Sequence, residues 1–406
     1  MSRFERVLYK FVKNDGFAYV LSLLVMVFLF CHFKRMNDLI DYPVFSSVLI
    51  TLIFNRFVDM LKKPVLVKLE DKVKLTTDYK KLTDRYKRTK NLIAYDNTGT
   101  ADEARIVKRF GKKEFTFPVC CECMIGDVEL AINDSPDVMY NAPDFVLGNF
   151  DKLIEAHKMS TIYNNLNIRV DDWYLCGDKF VMMTSRTTYF DSLITNRVMD
   201  YVLDNGICIR NMYEFGPSVN PLKSSKLSNH LGFNAFVESS DGEIAFVERG
   251  SAVSIGKKTY GNSIGASLKT KYVLSEDGTF NIKGLENGLL NEIKDELSID
   301  KEFIESYRVI AAYRDLVEGG KPQLLVYARS GLDKTAIMQR FDYKKRSKAK
   351  RMESDGTRVI WVKRSDLSNL SIAPEGIMYQ GRFLPMLPSA SASVVMLIRY
   401  LKGSNN

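Results

Sequence analysis

The sequence predicts a mixed α+β fold carried behind an N-terminal hairpin of two membrane-spanning helices. Three observations carry this. Two long uncharged apolar runs stand near the start. Strand-like alternation with a tight turn occupies residues 232–249. An amphipathic helix with a leucine/isoleucine stripe follows at 284–299.

The anchor comes first. Gly16 to Phe33 holds no charged side chain. At about 20 residues per bilayer crossing it is long enough to span. Tyr42 to Asn55 is a second uncharged run, extended to Leu61 if Arg56 and Asp59 lie near the interface. Phe33-Lys34-Arg35 offers no small-residue cleavage site, which argues against a signal peptide. Spans at about 17–33 and 43–61 therefore form a hairpin within residues 1–61.

Charge sets its direction. The chain has net charge +9, and all of that excess lies in residues 1–90. The charge-balanced remainder is no polycation for nucleic acid, so no direct nucleic-acid binding is expected. Arg3, Arg6, Lys10 and Lys13 precede the first run, and Arg56, Lys62, Lys63, Lys68 and Lys72 follow the second. Only Lys34 and Arg35 lie between. The positive-inside rule then places both termini in the cytoplasm. In that reducing compartment the six cysteines are expected as free thiols.

Residues 62–96 read as a basic helical stalk. Leu66, Leu69, Val73, Tyr79, Leu82 and Tyr86 recur near helical spacing over 65–93. Such a helix either lies on anionic lipid or forms a short coiled coil that makes a homo-oligomer.

Asn97-Thr98-Gly99-Thr100 suits a linker into an intervening mixed α/β segment, 97–228. Strands are expected at 115–124 and 179–184, helices at 150–157 and 192–203. Cys120, Cys121 and Cys123 read as part of a strand, since no second cluster completes a metal clip. An anionic ligand needs basic and aromatic partners. Arg186, Tyr189 and Arg197 are the candidates here, with Arg249 and Lys269 further on. The competing reading for each is a solvated face.

With three histidines in the chain, a metal would have to sit on carboxylates, which favours Mg²⁺ or Mn²⁺. Gly232–Glu238 and Glu243–Arg249 are strands joined by Ser240-Asp241-Gly242. In the helix after them, Leu285, Leu289, Ile293 and Leu297 make the apolar stripe. Glu292, Asp295 and Glu296 stand at i, i+3 and i+4 on the opposite side, where their charges repel. A divalent cation would relieve that repulsion; a solvated acidic face is the alternative.

Residues 291–299, Asn291-Glu292-Ile293-Lys294-Asp295-Glu296-Leu297-Ser298-Ile299, resemble the end of the Nudix box. Glu292, Ile293, Glu296 and Ile299 match, and Asp295 is a conservative match. Asn291 replaces the motif's Arg, Ser298 its last Gly, and Lys283 its first Glu; Gly278 is one place from the expected Gly. Strands at 308–316, 323–329 and 358–367 and a closing helix at 389–401 complete the order. The resemblance covers about 229–403 and implies a Nudix-type α/β/α sandwich with a mixed sheet. It also implies Glu292 and Glu296 as catalytic residues and Glu292, Asp295 and Glu296 as ligands of Mg²⁺ or Mn²⁺. The departures leave a weakened hydrolase and a ligand-binding pseudo-enzyme both open.

The whole order, with Tyr189 to Arg197 and Ser225–Phe233, is similar to the transmembrane-Nudix effectors associated with CD-NTases in CBASS antiphage systems. That similarity implies a cyclic nucleotide second messenger as activator and cell death as the outcome. A constitutive membrane-tethered Nudix pyrophosphatase acting on nucleoside diphosphate-X compounds and a non-catalytic scaffold are the alternatives.

Overall fold

The computed structural model describes residues 74–126, 128–157, 164–250, 255–348 and 356–403. Val73–Asn406 forms one compact unit. No helix among the described residues is long and apolar enough to cross a membrane, and the expected spans lie outside those residues.

Fifteen strands are described. They are β1 (Leu92–Asp96), β2 (Glu114–Met124), β3 (Glu129–Met139), β4 (Leu166–Cys176), β5 (Lys179–Thr188), β6 (Gly232–Glu238), β7 (Glu243–Arg249), β8 (Tyr260–Gly261), β9 (Ile264–Ser267), β10 (Ile304–Asp315), β11 (Lys321–Ser330), β12 (Gly356–Lys363), β13 (Ser371–Ala373), β14 (Gly376–Tyr379) and β15 (Arg382–Pro385). The helices that matter are α1 (Tyr79–Arg85), α2 (Glu103–Phe110), α3 (Tyr189–Ile194), α4 (Ile282–Leu297), α5 (Lys334–Lys348) and α6 (Pro388–Gly403).

The main sheet runs β1-β2-β10-β11-β6-β7-β12, with β8 on β7 and β9 on β6. Only β11 and β6 pair in parallel; the sheet is mixed. On one face α4, α5 and the small sheet β3-β5-β4 pack through Leu285, Leu289, Ile293, Ile337, Ile168 and Phe180. On the other, α2, α6 and β13–β15 pack through Ile106, Val394, Leu397 and Ile377. Both faces of the sheet are thus covered, and its strands read as near-continuous apolar runs such as Leu324-Leu325-Val326.

Four expectations need correction. The helix read over 65–93 exists, within the described residues, only as α1. Residues 92–96 are strand β1, paired with β2. Leu82 and Tyr86 are buried against Leu316 and Val317, so α1 packs on the rest of its compact unit rather than on lipid or in a coiled-coil seam. Asn97 is a fixed corner, not a linker: its amide donates to the carbonyls of Lys113 and Ile372, and its Oδ1 accepts from the Ile372 N–H. The expected boundary at 228/229 does not separate compact units, because β2 pairs with β10 inside the main sheet. The helix expected at 192–203 starts earlier and ends sooner. Thr188 and Asp191 form a capping box that starts α3. Thr195 leaves the helical region, and Asn196 turns to the Glu318 carbonyl and the Asn229 N–H.

Strands β5, β6, β7 and β11, helix α4 and closing helix α6 lie where the sequence places them. Cys120, Cys121 and Cys123 lie in β2 as ordinary strand residues with free thiols. Burial pushes the Cys120 and Cys121 thiols up to about 12.

Candidate functional site

The site forms where a hairpin opens. Strands β6 and β7 share one registered pair, Glu238↔Ile244. Beyond it they part, β6 taking β9 as its partner and β7 taking β8. The gap is a cleft of about 100 Å³. Its wall includes Asn234 from β6, Arg249 from β7, Asn262 from the β8–β9 turn, Gly265 from β9, Glu296 from α4 and Ser389 from α6. Gly265 lets the wall close in: a Cβ there would lie 3.2 Å from Asn234 Oδ1 and 3.4 Å from an Arg249 terminal nitrogen.

A capping residue and a glycine set the start of helix α4. Asn281 accepts from the Gly284 N–H and starts the helix. Gly284 lets it approach the Val273 carbonyl, 1.9 Å from where a Cβ would stand. The stripe Leu285, Leu289, Ile293 and Leu297 is buried as expected. The acids on the same helix do not share one environment. Glu292 is buried, Glu296 is half-buried at the cleft wall and Asp295 is exposed.

Lys269, just beyond β9, sets its ammonium 3.3 Å from Glu292 Oε1. Burial alone would lower the Lys269 pKa, but the Glu292 carboxylate outweighs it and holds the ammonium above its ordinary value. Asn291, at the motif's Arg position, donates to the Asn287 carbonyl of its own helix. Lys294 pairs with Asp300 at 2.8 Å.

Of the five ligand candidates, Arg249 lines the cleft, and Lys269 pairs with Glu292, one turn of α4 before the Glu296 that lines it. The other three lie elsewhere. Arg186 is buried and clamps Asp134. Arg197 is buried with its Nε 2.8 Å from Glu318 Oε2. Tyr189 opens α3, half-buried, its ring 6.4 Å from that of His230. These arginines meet acids inside the protein, so neither they nor Tyr189 form part of the cleft.

The metal implied by the box does not find its ligand set. Among the described residues no group of three or more His, Cys, Asp or Glu side chains is placed to hold one. Glu292 is engaged by a cation of the chain itself, and Asp295 is exposed. These donors do not fit a Mg²⁺ or Mn²⁺ centre, and no step through such an ion follows.

Sequence reasoning missed Asn262, Asn234 and Ser389. Asn262 is 5% exposed and neither amide atom has a hydrogen-bond partner. Its only signal was a polar residue inside the Gly/Ser-rich stretch 261–265, which reads as loop. Asn234 donates to the Tyr313 hydroxyl at 2.6 Å, and its place on an apolar strand was the available clue.

No family model matches the sequence, and no curated protein matches it. Two solved structures are similar in part. The crystal structure of DR0079 from Deinococcus radiodurans is 15% identical, with a TM-score of 0.23 over 34% of this chain and 69% of that one. The crystal structure of the MutT protein from Methanosarcina mazei Go1 is 11% identical, with a TM-score of 0.26 over 44% of this chain and 96% of that one.

Proposed function

We propose that this chain is a membrane-anchored effector of a CBASS-type antiphage system, in which the cleft between β6 and β7 binds an anionic cyclic nucleotide rather than hydrolysing one. The observation that carries the reading is the make-up of the cleft: Arg249 for a phosphate, with Asn262 and Asn234 able to donate and accept toward a base or ribose. The mixed sheet covered on both faces and the box helix α4 along its rim support a Nudix-type domain. The mismatch between that helix and a metal centre favours binding over catalysis. Anchoring at 17–61, with both termini cytoplasmic, comes from charge and hydropathy. In this reading the bound messenger alters a homo-oligomer at the inner membrane, and membrane damage ends the cell.

The test is calorimetry on the full-length protein in detergent micelles against cyclic di- and trinucleotides, with Mg²⁺ or with EDTA. One of them should bind equally well in both, and Arg249→Ala should weaken it by roughly tenfold or more. Absence of binding by every cyclic nucleotide overturns the reading. Metal-dependent turnover of a nucleoside diphosphate-X compound without any activator replaces it with the pyrophosphatase.

A further inference from the structure

Helix α4 carries Glu292, Asp295 and Glu296 within little more than one turn. Three carboxylates at that spacing repel one another, and a buried one needs a partner. For Glu292, whose side chain is 7% exposed, the structure supplies Lys269 at 3.3 Å. We propose that the Lys269 ammonium is the resident cation of this helix, occupying by charge the role that a divalent ion would take. The cleft then accepts an anion with no metal present.

The argument is one of charge and geometry. A divalent ion coordinated by Glu292 would have to share that carboxylate with the ammonium 3.3 Å from Oε1, a cation of the same sign tethered by its own backbone next to β9. The Lys269 side chain remains 35% exposed. An ammonium has three N–H donors, and the contact with Glu292 uses one.

The inference stands apart from the identity of the messenger, because its test uses Mn²⁺ alone. The full-length protein in detergent is titrated with Mn²⁺ and read by electron paramagnetic resonance, in the wild type, Glu292→Gln and Lys269→Met. Glu292→Gln should leave Mn²⁺ affinity unchanged, since Glu292 already holds its cation. Lys269→Met should tighten Mn²⁺ binding by about tenfold or more, because it leaves Glu292 and Glu296 one turn apart without the lysine. If Lys269→Met does not fold, the Glu292→Gln comparison alone decides. A fall of about tenfold in Mn²⁺ affinity in Glu292→Gln overturns the proposal, as does a folded Lys269→Met variant with no gain. Either failure leaves the nucleotide reading to its own calorimetry.

Discussion

Arg186 holds Asp134 with both terminal nitrogens, at 2.7 and 2.6 Å, and both side chains are almost fully buried. The pair joins β5 to β3 and reaches further. Arg186 also donates to the Gly278 carbonyl, while Asp134 accepts from Thr184 and from the Phe280 N–H. The small sheet is thereby tied to the turn that leads into α4. These contacts hold the Asp134 carboxyl below its ordinary value despite burial, with Arg186 and Thr184 the leading causes.

Removing one partner of such a pair leaves a buried charge alone, which costs about 3–5 kcal/mol. Arg186→Ala should lose that much in chemical denaturation. Arg186→Met combined with Asp134→Leu should recover most of it, because no charge is stranded. A loss below about 1 kcal/mol in the single variant would mean the pair is solvated.

Ser298 closes α4 at φ 60° and ψ 32°, in the left-handed region. The box motif has glycine here, and the backbone explains it: a helix ends most easily on a residue without a Cβ. The Ser298 hydroxyl is also buried without a hydrogen-bond partner. Ser298→Gly should therefore stabilise the protein by about 1 kcal/mol, seen as a melting temperature raised by a few degrees. A lower melting temperature would show that the unfolded chain's extra freedom outweighs the relief.

Local pattern accounts for what was legible. The four-residue spacing of Leu285 to Leu297 and the turn at Ser240-Asp241-Gly242 are each written in adjacent residues, and Gly242 takes the positive φ that its turn requires. Long-range pairing is not written that way. Nothing near Arg186 announces Asp134, 52 positions earlier, or the Gly278 carbonyl, 92 later. The basic spacing over 65–93 resembled one long helix because Leu82 and Tyr86 do share a helical face, yet that face is spent on Leu316 and Val317. The same holds for the carboxylates. Their shared helix was readable, but Lys269 comes from another element, and only the fold brings it to Glu292.

Glu214 gives the protein a pH dependence of known sign. Its side chain is fully buried, and burial raises its pKa from 4.5 to about 7, against a lowering hydrogen bond from the Asn220 N–H. Between those two values the folded protein keeps a proton that the unfolded chain has released. Stability then falls as pH rises through that window. Asp315, pushed up to about 7 by burial and by Glu318, acts in the same direction. Asp134 and Asp277 are lowered and act below pH 3.8, outside the window. His230 acts inside it with the opposite sign: burial holds its imidazole well below 6.5, so it raises stability as pH climbs to that value. The shift in Glu214 corresponds to about 3 kcal/mol. Urea midpoints from pH 4.5 to 7.5 should fall in the wild type relative to Glu214→Gln as pH rises, because the His230 contribution is common to both. A difference between the two proteins that stays constant or reverses over this range would refute the assignment.

Asn262 sets stability against binding. Its carboxamide is buried at the wall of the cleft, and neither Nδ2 nor Oδ1 meets a protein partner. Burying an unmet polar group costs about 1–3 kcal/mol. Leucine is close to asparagine in size and carries no such penalty. Asn262→Leu should therefore raise the unfolding free energy by about 1 kcal/mol while weakening whatever cyclic nucleotide the wild type binds. Asn262→Asp should act oppositely on stability, because it places a second carboxylate in a cleft already walled by Glu296. The measurements are melting curves for the three proteins and calorimetry with the bound nucleotide. A merely structural asparagine, satisfied by an internal water, would lose stability on replacement by leucine and leave affinity alone. A rise in melting temperature together with a fall in affinity identifies a side chain kept unsatisfied for its ligand.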